Sequence, residues 1–574
     1  MGQGTDRTGD SAVTGRALAG LMIVFFLALL PISVGFNTYH GDERFYTDGT
    51  LQMMQRGDYL TPAYADGSLR FNKPILTYWV LAASYKALGI NPFSSRVASL
   101  IAGCLVICLT YRIALSLFAH RATAWLAALL VFSNVQVATA ALRSTPDIFQ
   151  CLFVAVSLYG LVEIIFAGRR TLLSLLCAYV GAALAVETKG LTGLLPVAFA
   201  FAFCALYALP RTRPRDLVHV PVMIVGMAVA VAWFAVVYAK YGAAAIHGFL
   251  NDQVGERIPN RAGLVASNVL EYTVGVFRLF LPWTALLILL MPRSMDRVRR
   301  LAAEHRAAFV FCTAWYLVLF VIFSAANIQR TRYFLPAYPL LAAMFAAALA
   351  SLVDGARGFR ILSVTAAVLG AVAAVGGLLL AGAGVMASGN LILAGGIVLA
   401  AGAGLFAAAR RVTGAAPLLT ALAVVTLLGF SVTHLLIRTV LPASPTPVLA
   451  QRIAAGWPDT GWVQTMGFPL KYDGQLRVLL GGRVTVEPVV ENAAMTQGEA
   501  RLLVVAAEKM ANVNLGRYHV VAAVPSFGDV NFSKIRKAFL ARDRATALAD
   551  AAATYYLVAL SKPLASEGVA HGHQ

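Results

Sequence analysis

The chain of 574 residues is 59% hydrophobic and only 13% charged, against roughly 25% charged residues in a soluble protein. So much apolar surface needs lipid around it, which settles the broad class before any motif is read. The net charge of +19 could suggest nucleic acid. Here the arginines sit in short clusters between apolar runs, the pattern of cytoplasmic loops, and nucleic-acid binding is set aside.

The first sixteen residues are polar, and no small-residue cleavage site follows the apolar run 17–35, which therefore reads as an uncleaved first span. Runs close to the roughly 20 residues needed to cross a bilayer follow at 95–118, 121–141, 146–167, 171–187, 190–209, 217–239, 266–291, 308–326, 333–353, 360–385, 391–409 and 416–440. The expectation is thirteen spans. The segment 75–90 is apolar but short and carries Lys86.

With the N-terminus in the cytoplasm and thirteen spans, Arg121, Arg169–Arg170, Arg211/Arg213/Arg215, Arg293–Arg306, Arg357/Arg360 and Arg410–Arg411 all fall inside. Counting 75–90 as a further span would put every cluster outside, so it is read as a juxtamembrane helix. The same parity places 36–94, 142–145, 240–265, 327–332 and everything after 440 outside. In the first of these loops, Phe45, Tyr46, Gly49 and Met53 share a helical face, which suits an amphipathic helix lying in the interface.

After residue 440 the character changes. Short β-type runs appear at 462–468, 476–482, 483–489, 502–507, 519–524 and 555–560, separated by helical stretches such as 531–553. The expected organisation is an all-α transmembrane domain over 1–440 and a small soluble α/β domain over 441–574. The Gly- and Ala-rich stretch 360–409 predicts close-packed helices. The six cysteines (Cys104, Cys108, Cys151, Cys177, Cys204 and Cys312) lie in apolar runs without disulfide or metal-ligand spacing. No Gly-rich nucleotide loop stands in the right context.

The candidates for chemistry gather on the outer side. Asp42 and Glu43 open the first loop, Lys73 precedes Pro74 and the juxtamembrane helix, and Asp147 opens the span at 146–167 after Arg143-Ser144-Thr145-Pro146. Then come Glu187-Thr188-Lys189-Gly190, His247, the stretch Asn251-Asp252-Gln253-Val254-Gly255-Glu256-Arg257, and Gln329-Arg330-Thr331-Arg332-Tyr333. Singly, each has a bland reading. The acidic pair could end a helix in solvent, Lys73 could snorkel, Asp147 could be ordinary helix-start chemistry, and a lone His247 is a surface residue. Together, basic groups on an outer face break the positive-inside trend and call for an anionic partner such as lipid phosphate.

The order of these segments carries more information than any one of them. Asp-Glu, an aromatic-rich helix, Gly57-Asp58-Tyr59-Leu60-Thr61-Pro62, then Lys73-Pro74 with Tyr78-Trp79 resembles the C-type-fold membrane glycosyltransferases, in the aminoarabinose transferase and protein-mannosyltransferase-like branch. Ser95-Arg96-Val97, Lys189-Gly190 and Tyr333-x-x-Pro336-x-x-Pro339 match later landmarks, so the resemblance covers about 15–345. It implies inverting transfer of a sugar from a polyprenyl-phosphate donor to lipid A or lipopolysaccharide, a glycan or a protein at the outer face of a bacterial inner membrane. The C-terminal domain would then be periplasmic.

By the same resemblance, Asp42 and Asp147 are active-site carboxylates, Lys73 and Arg257 hold the donor phosphate, and Tyr333 lies near the donor. Glu43 beside Asp42, and Arg330 and Arg332 beside Tyr333, are further candidates as a catalytic carboxylate and as phosphate ligands. Aminoarabinose transferases carry an acidic residue directly before the loop lysine; here it is Asn72, and the spacing supports no metal site. The rival readings are a lipid or solute transporter or flippase, which would favour internal repeats and ionisable groups at mid-membrane, and a non-catalytic scaffold.

Overall fold

The computed structural model describes residues 6–35, 39–209, 212–253, 262–327, 330–387, 389–440, 444–488, 501–528, 534, 537 and 543–560. Arg257 lies outside the described residues, as does part of the helical stretch expected at 531–553, whose described part holds the helix Arg544–Ala551. The chain divides into two compact units. Unit 1 comprises Met1–Val34, Gly49–Ser84 and Phe93–Leu436; unit 2 comprises Gly35–Asp48, Tyr85–Pro92 and Ile437–Gln574. The sequence places a boundary near 440. The structure adds to the C-terminal unit two pieces of the first loop, one of which carries Asp42 and Glu43.

Unit 1 is helical and built for lipid. Among the described residues ten helices are long and apolar enough to cross a membrane, or twelve if two bent pairs each count as one span. The thirteen expected runs are all helical. Ten stand alone, 121–141 is bent by 60° between Phe132 and Val135, and the 266–291 run is bent by 91° between Leu279 and Trp283. The remaining run gives the shorter apolar helix Leu191–Leu206. The segment 75–90 forms the helix Leu76–Leu88, about 20 Å long and too short for a hydrocarbon core of about 30 Å.

Small residues decide how the site-bearing helices meet. The helices Pro146–Ile165 and Leu172–Lys189 form an antiparallel hairpin, the second opened by a Thr171/Ser174 capping box. A Cβ on Gly160 would lie 2.3 Å from the Ser174 carbonyl oxygen, and one on Gly181 would lie 2.8 Å from the Ser157 amide. Only glycine allows that approach. Ser157 Oγ donates to the Ala178 carbonyl at 2.7 Å across the contact. The first residues of one helix and the last of the other are thereby brought to the same end. Gly190, at φ 85°, ends the second helix. The helices Ala356–Ala387 and Gly389–Arg411 pack the same way: a Cβ on Gly377 would be 2.3 Å from the Leu399 amide.

Unit 2 carries a five-stranded sheet, with β1 Trp462–Met466, β2 Thr485–Pro488, β3 Leu502–Ala506, β4 Tyr518–Ser526 and β5 Ala553–Leu560 in the order β2-β1-β3-β5-β4. β1 pairs in parallel with β2 and β3; β5 runs antiparallel to β3 and β4. Five of the six expected β runs are strands. The sixth, 476–482, is instead the end of a helix, Leu470–Leu479. Its buried Tyr472, Leu476 and half-buried Leu479 recur at helical spacing, and Gly481 and Gly482 (φ 70° and 68°) turn the chain out of it. A helix here supplies the crossover that parallel β1 and β2 require.

The expected interfacial helix exists, at Glu43–Arg56, but it does not present one face to its surroundings. Glu43, Tyr46, Leu51 and Met53 are all at most 4% exposed. The packing of the protein surrounds the helix, which explains why so polar a segment stays ordered.

Candidate functional site

In unit 1 the hairpin brings Asp147, in the first turn of one helix, to Lys189, the last residue of the next. The Lys189 ammonium donates to Asp147 Oδ1 at 2.5 Å. The third member comes from the short helix Thr331–Ala337, whose Arg332 Nε is 3.5 Å from Asp147 Oδ2. Thr145 Oγ1 donates to that same carboxylate oxygen at 3.2 Å. Lys189 Nζ also lies 4.4 Å from the centre of the Tyr333 ring, a cation–π geometry. The side chains of all three charged residues are 13% exposed or less.

The cluster is buried charge at the ends of apolar helices, and ionisable groups so placed are costly and mark a functional site. The cluster lines a small pocket that is open at its mouth. Gln150 and Thr192, joined by a 3.2 Å hydrogen bond, continue the polar wall. Val154, Leu195, Trp315, Leu319 and Phe323 make the rest apolar. Trp315 is fixed by donating its indole N–H to the Pro336 carbonyl at 3.1 Å. A cationic mouth over an apolar wall fits an anionic head carried on a hydrocarbon chain.

The first loop contributes to unit 1 from Gly49 onward. Trp233 Nε1 donates to the Leu60 carbonyl at 2.9 Å and Thr61 pairs with the Tyr241 hydroxyl at 3.0 Å. Phe71 packs on Tyr241 with ring centres 5.0 Å apart. These contacts anchor the stretch that ends at Lys73, which is half-buried. Asn72 Oδ1 accepts from Tyr64 at 3.3 Å. Arg330 is exposed and His247 is an exposed surface residue.

Asp42 and Glu43 belong to unit 2, and their surroundings separate their roles. Glu43 is fully buried and its Oε1 accepts from the His40 amide at 2.9 Å, tying the start of its own helix. The Asp42 side chain is 35% exposed, with His40 Nδ1 4.0 Å away. Of the two, Asp42 is the carboxylate a second molecule can reach.

Residues 72–239 match the family model of dolichyl-phosphate-mannose-protein mannosyltransferases. Among curated proteins the chain is similar to an uncharacterized protein of Aquifex aeolicus, 28% identical over 333 residues. It is 27% identical over 350 residues to an undecaprenyl phosphate-alpha-4-amino-4-deoxy-L-arabinose arabinosyl transferase of Pectobacterium carotovorum. These alignments cover 56% and 59% of this chain and 63% and 59% of those proteins, less than two thirds of their length. The crystal structure of ArnT from Cupriavidus metallidurans bound to undecaprenyl phosphate superposes with a TM-score of 0.67 at 20% identity, over 90% of this chain and 96% of that one.

The chain has the ArnT fold. The resemblance to C-type membrane glycosyltransferases, read from the first loop, thus extends to the architecture of both units. Within the ArnT-like unit 1, Asp147, Arg332 and Tyr333 come together as site candidates. Sequence reading placed Lys189 among the outer-face basic groups and the family landmarks but gave it no role in the site. The available signal was a lysine closing one apolar run opposite an aspartate opening the run before it. Gln150, Thr192 and Trp315 gave no signal, because inside apolar helices they read as packing.

Proposed function

We propose that this protein is an inverting membrane glycosyltransferase that takes its sugar from a polyprenyl-phosphate donor. Its acceptor is lipid A, a glycan or a protein at the outer face of the inner membrane. The observation that carries the reading is the pair of buried cations, Lys189 and Arg332, gathered with Asp147 beside Tyr333 and over an apolar wall. A phosphate on an isoprenoid chain offers oxygens to such cations and fills the apolar side. The relatives named for undecaprenyl-phosphate aminoarabinose transfer support the donor class, and Asn72 argues for a sugar other than a cationic one.

In this reading Lys189 and Arg332, with Lys73 and Arg257, hold the donor phosphate and stabilise the charge that develops on it as the glycosidic bond breaks. Asp147, whose oxygens are engaged by Lys189, Arg332 and Thr145, orients those cations. Asp42 accepts the proton of an acceptor hydroxyl as that hydroxyl attacks the anomeric carbon. Purified protein in lipid nanodiscs is expected to bind undecaprenyl phosphate. Mass spectrometry of lipids and envelope glycans, with and without the gene, is expected to show one glycosylated species lost and its lipid-linked sugar accumulating. An unchanged glycan profile with the lipid-linked sugar merely shifted between leaflets would make the protein a flippase. A label at Ser68 is expected to react from outside, and labels at Gly168 and Ser294 only after permeabilisation. A cytoplasmic Ser68 would overturn the reading.

A further inference from the structure

The stretch that carries Asp42 and Glu43 is held by the C-terminal domain, and the contact is built from buried charge. Arg477, on the Leu470–Leu479 helix, reaches Asp48 on the Glu43–Arg56 helix, with Nη1 2.8 Å from Oδ2. Both side chains are at most 13% exposed. The same guanidinium donates through Nε and Nη2 to the Val486 carbonyl on β2, at 3.2 and 2.7 Å. One side chain therefore ties the first-loop helix, the crossover helix and the edge strand together, in the fork geometry that lysine cannot reproduce.

The packing around the pair is equally close. A Cβ on Gly474 would lie 2.8 Å from the Arg44 Cβ and 3.2 Å from the Tyr39 hydroxyl. Tyr39 packs on Val478 and its hydroxyl meets Thr47 Oγ1 at 2.5 Å. Nothing in the sheet itself needs this arrangement, since its core of Val463, Leu476, Val486, Leu502, Val504 and Leu557 closes without the first loop. An ion pair sequestered from water does little for stability compared with apolar packing, so its use is in fixing one arrangement.

We propose that Arg477 is a positioning residue for the reaction, setting through Asp48 the orientation of the helix whose start presents Asp42. This rests on the glycosyl-transfer reading and gives the C-terminal domain a part in it. Asp48 lies in the second turn of the helix that begins at Glu43. Releasing Asp48 lets that end rotate, and a displacement of about 1 Å at a reacting group costs on the order of 10²-fold in rate.

Two measurements on the full chain test this. In transfer assays Arg477→Met is expected to lower kcat about 10²-fold with KM for the lipid donor within about twofold, and Arg477→Lys to recover part of the loss by keeping the charge. In hydrogen exchange, Arg477→Met is expected to deprotect residues 39–48 while leaving 146–165 and 172–189 as in the parent. Unchanged kcat, or unchanged exchange over 39–48, would overturn the proposal. So would a variant that loses protection throughout the chain and is not helped by lysine. If the parent itself transfers no sugar, the glycosyl-transfer reading fails, and the exchange result alone decides whether Arg477 holds this stretch.

Discussion

The two units each bury a cluster of charge, and the clusters differ in what they line. In unit 1, Lys189, Arg332 and Asp147 line a pocket with an apolar wall. In unit 2, Arg477 reaches Asp48 and the Val486 carbonyl and so joins two helices and a strand. A cluster spent on joining elements can be architecture. One that lines a pocket has a face toward whatever enters it. By that argument unit 1 holds the ligand site and unit 2 holds a joint, although both would be picked out equally by a search for buried ionisable groups.

The largest effect is expected at Asp42. Asp42→Asn keeps the size of the side chain and removes its charge, and turnover should fall by about 10²–10⁴-fold with undecaprenyl-phosphate binding preserved. Single-turnover transfer from a lipid-linked sugar is the measurement. Near-normal rates would leave Asp42 as a helix-end charge, and the chemistry would have to be rebuilt around Asp147. Glu43 is a poor substitute, since it is fully buried and bonded to the His40 amide.

Next come the cations of the pocket. Lys189→Met leaves Asp147 paired with Arg332 and Thr145 and is expected to weaken lipid-phosphate binding more than tenfold, with a smaller loss of stability. Thermal unfolding and lipid-phosphate titration separate the two effects. A large loss of stability with unchanged binding would make Lys189 structural, and the contrast between the two clusters would disappear. Smaller again is Lys73→Ala. Its half-buried lysine should cost about 1.5–3 kcal/mol of donor binding if it meets phosphate, read by the same titration, and nothing if it only snorkels.

Much of the fold was legible because membrane helices advertise themselves by length and composition. The 360–409 helices were legible as close-packed from their glycines, and Gly377 against Leu399 shows why. Three features were not legible. Leu476–Gly482 carries Leu and Val that suit a strand equally, and only the need for a crossover between parallel β1 and β2 makes it helical. The Glu43–Arg56 helix looked amphipathic because its polar groups are answered by distant partners; Asp48 is matched by Arg477, 429 positions on. At the site, Asp147 was visible as a charge opening an apolar run. Its pairing with Lys189 depends on Gly160 and Gly181 letting two backbones touch, a three-dimensional fact with no local signature.

The smallest prediction tests the joint. Asp473 sits one turn before Arg477 and is 1% exposed, with both carboxylate oxygens buried. Burial pushes its pKa up to about 7, the charge of Asp48 adding to the rise and Arg477, the Thr465 hydroxyl and Arg44 opposing it. Burial likewise raises Asp48, against the pull of Arg477. In an unfolded chain an aspartate titrates near 3.9. Below about pH 4 Asp473 is neutral in both states and costs nothing. As pH rises from about 4 to 7 the unfolded state gives up a proton that the folded state keeps, so stability falls across that window and then levels off. Asp473→Asn cannot ionise and escapes the fall. It is expected to be close to the parent at pH 4 and more stable at pH 8, by on the order of 1–2 kcal/mol after the cost of burying an amide. Thermal unfolding of the full chain in detergent across that range measures it. The sign decides between two pictures of the joint. A gain at pH 8 means that Asp48 alone is the partner of Arg477 and Asp473 is a neutral neighbour tolerated beside it. A loss at pH 8 means that the arginine serves both carboxylates as ions, and that the hold on the first loop is strongest where both are charged.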